Sequence, residues 1–359
     1  MSTRTGGAID DLDGAGADDL RLLAAEALGG DAGRGNLLGI QPWMEPRHYA
    51  TAERFAARMD AYLAAAGARG WLGPRTVAVL PEYLGTWLVL AGAGPAVLAA
   101  ATLRQAMVRL LLERPLSVAA ALPGAGWRVV PALFRARAAR MAAIYERTCS
   151  ALARRYGITL VAGSILLPAP GVRNGRLVIG RGPLYNAAVV FGPDGAALAP
   201  PARKRFLTEA ERPFTAPAPQ AEPPVYTTPA GRLGVLVCAD AFFPESYAPL
   251  AASRAGLLAV PSYLEHAGCW EQPWPGYNGA PPPADVSPTD PGRIREGDAW
   301  LRYGMAGRMA RAGIPHGVNV FLRGRMWDLG SDGPIIAVRG GERSVAPRVD
   351  GASLLCVWL

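Results

Sequence analysis

Short, fully apolar segments rich in β-branched residues recur along the chain, and they constrain its fold more than any other sequence feature. Two of them, 76–80 and 233–237, end one or two residues before a residue that could carry chemistry. Helical spacing of apolar residues predicts helices between several of these segments, at about 48–67 and 143–157. The Pro-Asp-Gly turn at 193–195 predicts a hairpin after the strand at 184–191. Further predicted strands are 36–41, 158–164, 257–262, 317–322, 334–338 and 353–358. Buried strands alternating with helices indicate a layered α/β (α+β) sheet protein.

The 359 residues are enough for one large domain. Residues 1–35 are acidic at first and rich in small residues, and they lack the basic and apolar regions of a signal peptide. We therefore expect a flexible tail over 1–35 and a single domain over 36–359. Two stretches interrupt the strand–helix alternation: a helical insertion at about 90–140, and a loop at about 265–297 that is rich in proline and tryptophan. A loop of that length in a compact domain is usually a lid or a binding loop.

The basic residues are distributed very unevenly between arginine and lysine. Of 37 basic residues, 36 are arginine, and Lys204 is the only lysine. Because Lys204 follows Arg203, the chain has no phosphate-binding Gly-Lys-Ser/Thr loop. The excess of arginine, with a formal charge of +8, is interpreted as a compositional preference, and we predict no nucleic-acid partner. In the amphipathic, arginine-bearing part of 84–140, helix packing is favoured over contact with a membrane surface.

The four cysteines are widely spaced and form no Cys-x-x-Cys pair. This spacing argues against a zinc site and against a small disulfide framework. Cysteine usage of this kind suits a reducing compartment, so a cytoplasmic location is expected.

Three residues become informative when they are considered together. Glu82 and Cys238 each follow an apolar strand, and in open α/β sheets ligands bind beyond the carboxyl ends of strands. A carboxylate can accept the proton of a thiol, and a nearby ammonium stabilises negative charge that develops on a substrate. Glu82, Cys238 and Lys204 therefore predict an acyl-transfer site.

The segments that contain these residues resemble those of the nitrilase, or carbon-nitrogen hydrolase, superfamily from about residue 36 to 359. VLPEYLG resembles the segment with the family's catalytic glutamate, RKRFLTEAE the segment with its lysine, and GVLVCADAFFPE the nucleophile segment. The resemblance implies a four-layer αββα sandwich and Glu82, Lys204 and Cys238 as catalytic residues. It also implies a supporting glutamate, for which Glu211 is favoured over Glu209, and the backbone N–H of Ala239 in the oxyanion site.

The resemblance implies hydrolysis of a non-peptide carbon–nitrogen bond through a Cys238 thioester, without a metal or organic cofactor. A small amide is the favoured substrate, with a nitrile or a carbamoyl amide as alternatives. The lid aromatics Trp270, Trp274 and Tyr277 are candidate substrate-binding residues. The implied assembly is a homodimer or a higher homo-oligomer. An N-acyltransferase with the same thioester stays open, as does a non-catalytic binding or membrane-surface protein on the same fold.

The lone lysine provides the first test. In Lys204→Arg the positive charge is kept, but the wider guanidinium fork should not fit where a compact ammonium is needed. We expect the fold to persist and turnover of an amide substrate to fall by about 100-fold or more. The measurement is steady-state kinetics together with circular dichroism. Near wild-type turnover would show that activity does not require a lysine at position 204.

Overall fold

Two β-sheets form the centre of the protein, and the computed structural model describes them within residues 20–219 and 223–359. The first sheet has seven strands in the order β1-β17-β2-β4-β5-β8-β9. Its strands are β1 (Leu22–Leu28), β2 (Asn36–Gln41), β4 (Thr76–Val79), β5 (Thr159–Pro168), β8 (Leu184–Phe191), β9 (Ala197–Arg203) and β17 (Ala352–Trp358). Strands β2, β4 and β5 run parallel to one another, whereas β8 and β9 form the antiparallel hairpin predicted from the Pro-Asp-Gly turn.

The second sheet has six strands in the order β10-β11-β12-β13-β15-β16, and β11, β12 and β13 are parallel. Its strands are β10 (Val225–Thr228), β11 (Gly231–Val235), β12 (Leu257–Ser262), β13 (His316–Phe321), β15 (Ile336–Arg339) and β16 (Glu342–Val345). Two small ribbons complete the described strands: β3 (Trp43–Met44) with β14 (Arg323–Gly324), and β6 (Gly171–Arg173) with β7 (Arg176–Val178).

The two sheets pack face to face, as the side-chain alternation of their strands requires. In β2, Leu37 belongs to the apolar cluster between the sheets, whereas Leu38 and Ile40 belong to the cluster under the helices. Both faces of the strand are therefore buried, which explains why the segment has no polar alternation.

Helices cover the outer face of each sheet. The helices over the first sheet include α1 (Ala52–Gly67) and the 28-residue α5 (Val129–Tyr156). The second sheet is covered by α7 (Glu296–Tyr303) and α8 (Met305–Arg308). The short helix α6 (Ala248–Ala252) follows the segment that contains Cys238. The layers thus form an αββα sandwich, and the predicted fold class is confirmed.

The described part of the predicted flexible tail contains a strand. Strand β1 pairs in parallel with β17 at the edge of the first sheet, from Leu22 with Ala352 to Leu28 with Val357. The expectation of a flexible segment up to residue 35 is therefore wrong for this part, because hydrogen bonds to a strand more than 300 residues away order it. Residues 1–19 lie outside the described residues.

The stretch at about 90–140 is helical, with α2 (Pro95–Leu98), α3 (Leu103–Glu113), α4 (Pro115–Ala121) and the start of α5. The uncharged run from Tyr83 to Leu103 forms turns, a 3-10 helix over Thr86–Leu90 and α2. Among the described residues, no helix is both long and apolar enough to cross a membrane. The loop at 265–297 has little regular structure, with a 3-10 turn at Cys269–Glu271 and the first residues of α7.

The close approach of the two sheets gives a testable consequence at Gly39. A Cβ atom on Gly39 would lie 3.1 Å from side-chain atoms of both Val318 and Ile335 in the other sheet. Gly39→Val should therefore overpack the interface and lower the free energy of unfolding by about 1–3 kcal/mol, as measured by urea denaturation. The control is Gly256→Val, since a Cβ there meets no atom within 4 Å. Equal losses in the two variants would contradict close packing at Gly39.

Candidate active site

The carboxyl ends of β4, β9 and β11 bring three of the predicted residues together. Glu82 follows β4 by three residues, Lys204 follows β9 directly, and Cys238 follows β11 by three residues. The three side chains come from both sheets, and all are at least 94% buried. The site therefore lies where the ends of the two sheets meet.

Lys204 is the centre of the charge network. Its Nζ lies 2.8 Å from Oε1 of Glu82 and 2.8 Å from Oε1 of Glu211, and its side chain is 2% exposed. Burial alone would lower the pKa of Lys204, but the neighbouring Cys238, Glu211 and Glu82 raise it well above its usual value. The lysine is therefore a permanent cation in the site.

The two carboxylates differ in their surroundings. Burial raises the pKa of Glu82, with Lys204 opposing this shift and Glu211 adding to it. Burial also acts to raise the pKa of Glu211, but Lys204 and hydrogen bonds from Tyr83 and Thr208 outweigh it, so that this pKa is lowered. Glu211 is consequently the ionised partner of the lysine, and Glu82 is the group better suited to accept and return a proton near neutral pH.

Cys238 occupies an unusual backbone position at the start of a 3-10 helix, Cys238–Phe242. Its φ is +51°, in the left-handed region that residues other than glycine rarely adopt. Sγ lies 3.6 Å from the carbonyl oxygen of Tyr263. Burial and the neighbouring Glu82 raise the pKa of the thiol well above its usual value. The resting cysteine is therefore a thiol that must lose its proton during attack, and Glu82 is the carboxyl group that acts most strongly on the pKa of this thiol.

Two residues that were not singled out in the sequence complete the network. The amide nitrogen of Asn186, on β8, donates to Oε1 of Glu82 at 2.8 Å and to Oε1 of Glu211 at 3.3 Å. The hydroxyl of Tyr83 donates to Glu211. Tyr83 could have been noticed as the neighbour of Glu82, but nothing in the sequence around Asn186 marks it, because its role depends on the pairing of β8 with β5.

Asp240 is a third residue that the sequence reasoning missed, although it lies only two positions after Cys238. Its carboxylate accepts hydrogen bonds from the backbone N–H groups of Arg205 and Phe206, at distances of 2.8 to 3.2 Å. These bonds join the nucleophile's 3-10 helix to the segment that follows Lys204. Asp240 thus fixes the position of the cysteine relative to the lysine.

Two further predicted residues, Glu209 and Ala239, lie near the site. Glu209 is exposed, and its backbone N–H contacts Asn278, so Glu211 is the glutamate that reaches Lys204. Ala239 follows Cys238 in the 3-10 helix and is partly exposed.

The lid aromatics anchor their loop to the body. Trp270 packs edge-on against Phe321 at 6.0 Å between ring centroids, and Trp274 stacks on Tyr303 at 5.4 Å. Both tryptophans are more than 90% buried. The Tyr277 hydroxyl donates to the carbonyl of Phe242, in the nucleophile's helix. Of the three, Tyr277 is thus the one in direct contact with the nucleophile segment.

Within the described residues, no group of three or more His, Cys, Asp and Glu side chains is arranged to hold a metal ion. The charge that could stabilise an anionic intermediate in this site comes from the ammonium of Lys204.

Comparison with known proteins agrees with this geometry. The sequence model of the carbon-nitrogen hydrolase family matches residues 117–279, which include Lys204, Glu211 and Cys238. The match spans less than half of the chain, and this part of the chain is similar to carbon-nitrogen hydrolases. Glu82 lies outside the matched range, and its place beside Lys204 rests on the structure.

Among curated proteins, the chain is similar to deaminated glutathione amidases. It is 31% identical to the one from Synechocystis sp. over 135 residues, which cover 35% of this chain and 46% of that protein. It is 39% identical to the one from Homo sapiens over 88 residues, which cover 22% of this chain and 26% of that protein. The matches thus span less than half the length of these relatives.

Among solved structures, the chain is similar to an amidase from Nesterenkonia sp. AN1. In one structure, a variant shows Michael addition of acrylamide at its active-site cysteine; the TM-score is 0.56 and the identity 18%, over 90% of this chain and 93% of that chain. A second structure is a double mutant of that amidase in complex with acrylamide, with a TM-score of 0.56 and 17% identity over 92% of each chain. At this identity the likeness shows the fold alone, and it agrees with the αββα layers described above.

The buried carboxyl group of Asp240 generates a pH prediction. Burial raises its pKa to about 7, against the hydrogen bonds from Phe206 and Arg205 and the charge of Lys204. Because the folded-state pKa is raised above the unfolded one, the protonated group's stabilising contribution is complete below about pH 4 and is lost as pH rises through about 7. Asp240→Asn should remove a slope of up to about 1.4 kcal/mol per pH unit over this window, as measured by urea denaturation at several pH values. The control, Glu342→Gln at an exposed carboxylate, should follow the wild type. Parallel curves for Asp240→Asn and the wild type would contradict the shift.

Proposed function

We propose that the protein is a cysteine amidohydrolase that cleaves a small amide through a thioester on Cys238. The observation that carries this proposal is the contact of one buried ammonium, Lys204, with two carboxylates beside a buried thiol. The similar proteins named above are all amidases, which supports the reaction class.

In the proposed acylation step, the carboxylate of Glu82 takes the proton of the Cys238 thiol while Sγ attacks the amide carbonyl carbon. The carbonyl π pair moves to oxygen, and the resulting oxyanion is stabilised by the Lys204 ammonium and the backbone N–H of Ala239. When the tetrahedral intermediate collapses, the C–N bond breaks and Glu82 returns its proton to the leaving amine. Cys238 is then an acyl thioester.

Deacylation uses the same groups with water as the nucleophile. Glu82 takes a proton from water as its oxygen attacks the thioester carbon, and the C–S bond breaks as Glu82 returns the proton to the sulfur. Glu211 stays ionised and holds Lys204 in position, with Tyr83 and Asn186 orienting its carboxylate. The raised pKa of Glu82 suits a group that must both accept and release a proton.

Location and assembly belong to this proposal as well. The four cysteines are all unpaired thiols, which supports a reducing, cytoplasmic compartment. A homo-oligomer stays a prediction that sedimentation measurements can test.

The proposal predicts a covalent adduct at one cysteine. Glu82→Gln should slow proton transfer, and incubation of this variant with acrylamide or fluoroacetamide should modify Cys238, as identified by peptide mass spectrometry. Cys238→Ala should lower amide turnover by about 10⁴-fold, as measured by ammonia release from a panel of small amides and nitriles. The matched control is Cys269→Ala, at a partly exposed thiol outside the site.

Two outcomes would contradict the proposal. Full amide turnover by Cys238→Ala would exclude the thioester mechanism. Acyl transfer to an added amine in preference to water would instead identify the protein as an N-acyltransferase on the same thioester.

A further inference from the structure

The exposed apolar side chains are concentrated in one part of the molecule. Eight large hydrophobic residues are exposed among the described residues, and six of them lie within residues 108–130. They are Val108 (48% exposed), Leu112 (73%), Leu116 (84%), Trp127 (73%), Val129 (48%) and Val130 (43%). Scattered single exposures are ordinary, but such a concentration marks an interaction surface.

These residues lie on α3, on α4, in the turn before α5 and at the start of α5. Helix α4 contacts both α3 and α5. We call this surface, defined by the six residues above, the apolar face of the insertion. Its most distinctive member is Trp127, which lies in the turn that leads into α5. Trp127 and the preceding Gly126 both have left-handed backbone conformations, with φ values of +61° and +59°. The turn therefore holds a large aromatic side chain outward at a conformational cost.

The insertion is firmly attached to the body, so the exposure is a property of an ordered surface. Arg137 on α5 is 95% buried and donates to the carbonyl oxygens of Val89, at 3.1 Å, and Ala91. The Trp327 indole N–H donates to the carbonyl oxygen of Val97 at 3.1 Å. Both contacts hold the insertion through its buried side, which faces the body of the protein.

Positive charge surrounds the apolar face. Residues 102–140 contain seven arginines and a single acid, Glu113, so they carry most of the chain's formal charge of +8. Arg104, Arg109, Arg114, Arg128 and Arg140 are exposed, whereas Arg135 is partly exposed and Arg137 is the buried anchor described above. The carboxylate of Glu113 accepts a hydrogen bond from the backbone N–H of Gly94. The surface is therefore apolar and cationic together.

A cavity of about 410 Å³ adjoins this surface, and the charged side chains that line it are also positive. Arg128 and Arg135 of the insertion line it together with Arg181 and Arg212 of the body, and its lining contains no carboxylate. Within the described residues, Arg128 and Arg181 form no ion pair through their side chains. Unneutralised guanidinium groups of this kind are suited to a phosphate.

We propose that the apolar face of the insertion docks on a membrane surface rich in anionic lipids, with the arginines around it contacting lipid phosphates. Helices that lie in a membrane interface combine Trp and Leu on one side with Arg on the other, as here, and need not cross the bilayer. A second copy of the chain is a poorer occupant, because a two-fold interface through this surface would place two cationic faces against each other. The side chains also protrude, which suits a deformable lipid surface. This proposal departs from the sequence-based preference for helix packing in this stretch.

The experiment is co-sedimentation of the full chain with vesicles at 0.1 M salt. We expect binding to vesicles of phosphatidylcholine with phosphatidylglycerol, and little binding to phosphatidylcholine alone. The triple variant Leu112→Gln/Leu116→Gln/Trp127→Gln should lose this binding. The matched control changes the two remaining exposed apolar residues, Leu23→Gln/Val345→Gln, and should bind as the wild type does.

The charge contribution is tested separately. Arg104→Gln/Arg128→Gln should weaken binding to the anionic vesicles by about 30-fold, since each arginine near such a surface contributes about 1 kcal/mol. Arg173→Gln/Arg293→Gln removes the same charge from exposed positions outside the insertion and should have little effect. Circular dichroism and thermal unfolding of every variant separate loss of binding from loss of fold.

Three results would overturn the proposal. The first is the absence of wild-type binding to the anionic vesicles, and the second is equal binding to both kinds of vesicle. The third is a concentration-dependent dimer in sedimentation that the triple variant abolishes, without vesicle binding by the wild type. That last result would assign the apolar face to a second copy of the chain.

Discussion

The contact of the Lys204 ammonium with two glutamates is the interaction on which the site depends. A buried cation is costly unless it is paired and hydrogen-bonded, and here each carboxylate contributes an oxygen at 2.8 Å. The lysine lowers the pKa of both carboxyl groups, and their other surroundings distinguish them: burial raises the pKa of Glu82, whereas hydrogen bonds from Tyr83 and Thr208 help to lower that of Glu211. The cation thus compensates the buried negative charge of the site.

The strands around this contact explain why it forms. Glu82 leaves the first sheet after β4, Cys238 leaves the second after β11, and Lys204 follows the hairpin strand β9. Face-to-face packing of the sheets brings these three ends to one place. Asp240 then links the nucleophile's helix to the segment after Lys204 through three N–H···O contacts. The catalytic geometry is therefore a consequence of sheet packing and not of any single loop.

The helical insertion has a different physical character from the site. The site buries its charges and pairs them, whereas the insertion displays six large apolar side chains and leaves most of its arginines in solvent. Both features lie in one rigid framework, since Arg137 and Trp327 attach the insertion to the body. A surface of this kind can position the enzyme at an interface without changing the residues that carry out the chemistry.

Local sequence determined a large part of this protein. Apolar runs such as 36–41 and 257–262 predicted buried strands, because burial on both faces restricts residue choice locally. The residue types of Glu82, Lys204 and Cys238, each close to the end of a predicted strand or hairpin, selected the side chains that the structure brings together. Tertiary structure decided what depends on partners distant in sequence. Strand β1 pairs with β17, Asn186 meets the glutamates through the pairing of its strand, and Trp127 is exposed because none of the described elements covers it. The physical reason is that pairing and exposure are relations between segments, whereas a sequence pattern reports the preferences of one segment at a time.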